Sequence, residues 1–178
     1  LVGRLQEVSA LLKRVTPEDP ELRADALAEL GVVALEHLHS PPAAYFPSVA
    51  AVQLQPKHVG AAITLLQVQL AIGQYAEALR SGPGIVTAQT DKSTRLTVAA
   101  LLWAATRLAR SRGGPVTLWG GRLQREFQAL FEDKQPTTRF DGLRFLLARQ
   151  KPIPAEAQQV LTVLDFLDRP KVAGSEAE

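Results

Sequence analysis

The 178 residues include 46% hydrophobic side chains, and 20 Lys and Arg stand against 18 Asp and Glu for a net charge of +2. That composition supplies a substantial core for one folded domain and excludes a disordered or strongly one-signed chain. There is no Cys, which excludes disulfides and thiolate metal sites, and no Met, which points to a processed form or a piece of a longer protein. The lack of Cys suits an intracellular compartment, cytoplasmic or organellar, without fixing it, because a secreted protein can also do without disulfides.

Leu1, Leu5, Val8, Leu12 and Val15 recur at steps of four and three, the spacing of one helical stripe, and Arg4, Glu7, Lys13 and Arg14 interrupt it too often for a signal peptide. Thr16, Pro17, Glu18, Asp19, Pro20 and Glu21 then combine capping side chains, early-turn prolines and acids, which together predict a helix start. The helix continues through Leu22, Ala26, Leu30, Val33, Ala34 and Leu38 and is expected to pack antiparallel on the first. Residues 40–56 hold Pro41, Pro42, Pro47 and Pro56, so the expectation there is a connection with room for one or two turns over 48–54 and no long helix.

Residues 58–72 are apolar nearly all round (Val59, Ile63, Leu65, Leu66, Val68, Leu70), as expected of a helix enclosed by others. The uncharged run extends to Ala76, but Gln67, Gln69 and Gln74 with Gly60 and Gly73 argue for a core helix over a membrane span. Gly73-Gln74-Tyr75 turns the chain, and a helix beginning at Ala76 is expected to be cut short by Gly82-Pro83-Gly84. Asp91 caps the next helix, where Leu96, Val98, Leu101, Leu102, Trp103 and Leu108 lie on several faces. After Gly113-Gly114-Pro115, the spacing of Trp119, Leu123, Phe127, Leu130 and Phe131 predicts an amphipathic surface helix. Two shorter helices follow, one with Phe140, Leu143 and Leu147, the other with Ala157, Val160, Leu161, Leu164 and Leu167. No stretch alternates apolar and polar residues as a strand would. The fold expected is all-α, a bundle or irregular helical repeat of seven to nine helices, with one domain over 1–168 and a polar tail over 169–178.

Leu65, Gly73, Tyr75 and Ala78 fall at the spacing of the mid-helix Leu, turn Gly, following aromatic and second-helix Ala of a tetratricopeptide repeat. The hairpin they define resembles that family over about one repeat, and the resemblance implies a scaffold that binds peptides or partner proteins. Leu54-Gln55-Pro56, then Gly73-Gln74-Tyr75, then the apolar helix from Leu96 to Leu108 is similar in order to the helical bundle of Sec31-type coat proteins and the steroid receptor RNA activator protein. That second resemblance leaves out the last sixty or so residues and implies a role in assembly.

No catalytic, cofactor-binding or metal-binding residue emerges. His37 and His39 sit two apart, which on a helix points their rings about 200° away from each other, and they read as helix-end residues. There is no Gly-x-Ser-x-Gly elbow, and Gly82-Pro83-Gly84, Gly113-Gly114 and Gly120-Gly121 lack the Lys-Ser/Thr of a phosphate loop. The acid pairs Glu18-Asp19 and Glu132-Asp133 lie at helix ends and specify no acid–base chemistry.

Charge is unevenly distributed. Residues 92–151 hold twelve Lys and Arg and only four Asp and Glu, whereas both flanking stretches are acidic. Arg107, Arg110, Arg112, Arg122, Arg125, Arg139, Arg144 and Arg149 are the candidate partner-binding residues in it, joined by Tyr45 and Phe46 from the Pro-rich stretch. Helix-end and polar-face Arg also serve solubility and the helix dipole. The function expected is a non-enzymatic protein–protein interaction module, a scaffold or structural subunit or terminal domain, whose partner is an acidic protein surface or helix. The alternative is nucleic-acid binding, RNA included, through the basic segment, with no exposed aromatic interleaved to stack bases. A helical ligand carrier or enzyme comes third.

Overall fold

The protein is described by a computed structural model over residues 19–88, 91–111 and 140–168, together with Arg125. These residues form an all-α bundle without strands: α1 (Pro20–Val32), a single π turn (Val33–His37), α2 (Pro41–Leu54), α3 (Val59–Ala71), α4 (Tyr75–Ala88), α5 (Lys92–Ser111), α6 (Asp141–Ala148) and α7 (Ala155–Asp168). The stripe over 1–15, the helix expected over 117–131 and the tail over 169–178 lie outside the described residues. No described helix is long and apolar enough to cross a membrane.

Local chemistry sets the helix starts. Asp19 caps α1 by accepting from the Leu22 N–H at 2.9 Å, with Pro20 in the first turn, where no donor is lost. Asp91 caps α5 by accepting from the Thr94 N–H at 2.7 Å. His58 caps α3: its Nδ1 accepts from the Ala61 N–H and its Nε2 faces Asp25 Oδ1, each at 3.1 Å, which puts the ring proton on Nε2.

Two expectations about breaks are corrected. Residues 41–54 form one continuous helix, α2, with Pro47 inside it. Pro41 and Pro42 occupy its first turn, where backbone N–H groups have no helical partner, so only Pro47 removes a hydrogen bond. Packing offsets that loss. Ala44 and Ser48 are buried against Gly31 of α1 and Ala51 against Ala28, and a Cβ on Gly31 would come 2.4 Å from Ser48 Oγ. Tyr45 and Phe46 are therefore helical rather than in a loop. Gly82-Pro83-Gly84 likewise does not end α4, which runs to Ala88. Gly82 is buried because α4 lies so close to α5 that a Cβ there would meet Leu102 Cδ2 at 2.3 Å.

α3 is the central element and contacts α1, α2, α4, α5 and α6. Its Leu66 and Leu70 join Leu96, Leu101, Leu102 and Leu108 of α5, Phe140 before α6, Leu143 and Leu147 of α6 and Leu164 of α7 in the main core. The α3–α4 turn uses Gly73 at φ 80°, a conformation costly for residues with a Cβ, and Tyr75 and Ala78 just beyond it are buried.

Candidate functional site

The site is built where the end of α1 meets the start of α6. Instead of stopping at Val32, the chain makes one wide turn closed by the Leu38 N–H to the Val33 carbonyl, and His39 then adopts φ 48°. The wide turn carries Glu36 onto the first turn of α6, where its Oε2 accepts from the Gly142 N–H at 2.6 Å. Gly142 is buried against that backbone: a Cβ would lie 2.6 Å from the Leu35 carbonyl oxygen and 3.1 Å from Glu36 Cα. Glu36 thus caps α6 across a sequence separation of 106 residues.

Arg144, one turn along α6, is held by three carboxylates. Its Nη2 lies 2.7 Å from Asp165 Oδ1, and its Nη1 lies 2.7 Å from Asp168 Oδ2 and 3.3 Å from Asp141 Oδ1. Asp168 Oδ2 also accepts from the Phe140 N–H at 3.4 Å. Burial is the main force on both inner acids. It pushes the Glu36 carboxyl up to about 7, with the Gly142 N–H pulling it back and the charges of Asp141 and Asp168 adding to the rise. It also raises Asp168, against the opposing pull of Arg144 and the Phe140 N–H.

Beside this polar junction lies an aromatic surface. The His39 ring stacks on Phe145 with centroids 3.9 Å apart and planes 19° apart, and the Arg149 guanidinium lies 5.3 Å from the Phe145 centroid. On α2, Tyr45 meets Phe46 edge to face at 5.6 Å. Tyr45 of α2 and Leu146 of α6 pack on the same small cluster of Ala34, Leu35, Ala44 and Val68. Leu38 is 51% exposed and Phe145 39% at this junction, and Phe46 of α2 is 75% exposed, so three large apolar side chains face solvent. An open depression of about 510 Å³ continues from Phe145 between α6 and α7, lined also by Arg144, Asp165 and Gln158.

Of the sequence-predicted site residues, Tyr45, Arg144 and Arg149 come to this region, and Phe46 stands exposed next to Tyr45 on α2. Arg144 brings no free charge, since its guanidinium is shared among three acids. Arg107 lies on α5, with its guanidinium 5.6 Å from the Trp103 ring centroid, and Arg110 is exposed near the end of the same helix. Arg125 is exposed; Arg112, Arg122 and Arg139 lie outside the described residues. Leu38, His39, Phe145 and Glu36 are the participants that sequence reasoning missed. Only the i, i+3 spacing of Asp141 and Arg144 announced any part of the junction.

The described residues contain no group of three His, Cys, Asp or Glu placed to hold a metal ion. His37 is exposed at the end of the π turn, while His39 is occupied with Phe145. The tetratricopeptide and Sec31-type resemblances rest on the residues quoted for them: no family model matches the chain, and neither the curated proteins nor the solved structures compared with it gave a match.

Proposed function

We propose that the chain is a non-enzymatic protein–protein interaction module, a scaffold or structural subunit of a larger assembly, and that it captures its partner on the surface formed by Leu38, His39, Phe46, Phe145 and Arg149. The observation that carries this reading is the Arg149–Phe145–His39 stack, in which Phe145 and Arg149 are exposed, together with the exposed Phe46 on α2 next to Tyr45. Rigid aromatic rings and Arg are the side chains that dominate binding energy at protein interfaces, because they bury large areas at low entropic cost. The partner suited to this surface inserts an apolar side chain among the rings and offers a carboxylate to Arg149. An amphipathic helix with an acidic edge has that chemistry. Arg144 weakens the alternative of a nucleic-acid interface, because three carboxylates already neutralise it within the basic segment.

Affinity capture from a native lysate, with nuclease and across a salt series, tests the reading with wild type and the F46A/R149E variant as baits. Both positions are exposed, so the variant is expected to fold. The wild type should retain a defined set of proteins through nuclease and moderate salt, and the variant should recover about tenfold less or lower still, the effect of removing two anchor side chains. Loss of recovery with nuclease, or equal recovery by the variant, would contradict it.

A further inference from the structure

On a different face, α2, α3, α4 and the α2–α3 turn enclose a half-open cleft of about 560 Å³, a size within the range of small-ligand sites. Its walls are apolar: Val52 from α2, Val59 and Leu65 from α3 and Ile85 from α4. Nothing lies within 4 Å of where a Cβ on Gly84 would stand, so the α4 wall opens directly onto free space. Lys57 is the one Lys, Arg, Asp or Glu among the described lining residues, and it is exposed. His58 also lines the cleft, but its two ring nitrogens are engaged by the Ala61 N–H and by Asp25. The remaining polar side chain, Ser81, donates its hydroxyl to the Glu77 carbonyl. A guest therefore meets an apolar body and a single unpaired cationic contact.

We propose that this cleft binds a small amphipathic carboxylate, with its alkyl chain between Val52, Val59, Leu65 and Ile85 and its head group on Lys57. The apolar walls exclude a densely polar ligand such as a sugar or nucleotide, whose hydroxyl and phosphate groups would find no partners. Lys57 selects an anion over a cation of the same length, since the attraction reverses sign with the head group. The lining offers aliphatic side chains and no Phe, Tyr or Trp, which favours a flexible alkyl chain over a flat ring system.

The test is calorimetric titration of the whole chain with decanoate and with decylammonium, below micelle formation. Decanoate should bind saturably at one site and more tightly than decylammonium. Gly84 lines the cleft and has nothing within 4 Å of its Cβ position, so G84L adds a branched side chain at the α4 wall without a clash, and Leu is a better helix former than Gly; the fold is retained, checked by circular dichroism. It should weaken decanoate binding about tenfold or more by obstructing the site at that wall. K57E, at an exposed turn position, should reverse the preference towards decylammonium. No saturable binding by the wild type, undiminished binding by G84L, or equal affinity for the two head groups would overturn the proposal.

Discussion

Replacing Gly142 with Val should lower the stability of the fold by about 3 kcal/mol, the upper range for overpacking a filled interior. The reason lies in what a Cβ would meet. The Leu35 carbonyl oxygen stands 2.6 Å away, its carbonyl carbon 3.0 Å and Glu36 Cα 3.1 Å, and all of these are backbone atoms of the π turn, which cannot rotate aside as a side chain would. Either α6 moves away and the Gly142 N–H loses its bond to Glu36, or the π turn deforms and carries Leu38 and His39 with it. In a chain of this length such a loss lowers the melting temperature by about 6–12 °C. Gly84 supplies the opposite result from the same residue type. With open space at its Cβ and a helical backbone, G84A should stabilise by about 0.4–1 kcal/mol. Thermal melts of the two variants beside wild type decide both, and a neutral G142V would mean that α6 does not seat on the π turn as described.

Glu36 should make the fold more stable in acid than at neutral pH on its own account. Its carboxyl is held at about 7 when folded against 4.5 as the ordinary value, so the folded chain binds a proton that the unfolded chain releases between those two points. The contribution is complete below pH 4.5 and is lost as pH rises through about 7. The full displacement corresponds to about 3 kcal/mol, and solvent around the part of the group that stays exposed reduces it to about 2 kcal/mol. Asp168, also raised by burial, acts in the same direction. E36Q keeps an oxygen to accept from the Gly142 N–H and removes the charge. It should match wild type at pH 4.5 and exceed it at pH 8 by about 2 kcal/mol. The measurement is denaturant unfolding of both proteins from pH 4.5 to 8. A difference that is flat with pH, or that shrinks as pH rises, would show that Glu36 is ionised at this junction without penalty.

The helices whose signals are local were readable in the sequence. Asp19 with Pro20, Asp91, and the uninterrupted apolar surface of α3 each state their role within a few residues. Prolines misled because their effect depends on what surrounds them. Pro41 and Pro42 are harmless at a helix start, and Pro47 is tolerated because Gly31, Ala44 and Ser48 let α1 and α2 approach closely. Gly82 likewise serves contact with Leu102 rather than chain reversal. The candidate site was legible only in pieces. Tyr45, Phe46, Arg144 and Arg149 could be singled out as residue types, but nothing near them states that Arg144 faces Asp165 and Asp168. Nor does any periodic signal predict a π turn, whose extra residue is what brings Glu36 to Gly142. The left-handed His39, placed against Phe145 from 106 residues away in sequence, depends on that turn.

The central claim, that the aromatic surface around the π turn and α6 is where a partner protein binds, is tested most directly by photo-crosslinking in cells that express the chain. A benzophenone side chain is placed at position 46, and a second one at position 72, where Ile72 is also exposed but lies at the end of α3. The account predicts a discrete protein adduct from position 46, competed by the untagged wild-type chain, and none from position 72. Adducts common to both positions, adducts to nucleic acid, or no adduct from position 46 would contradict it.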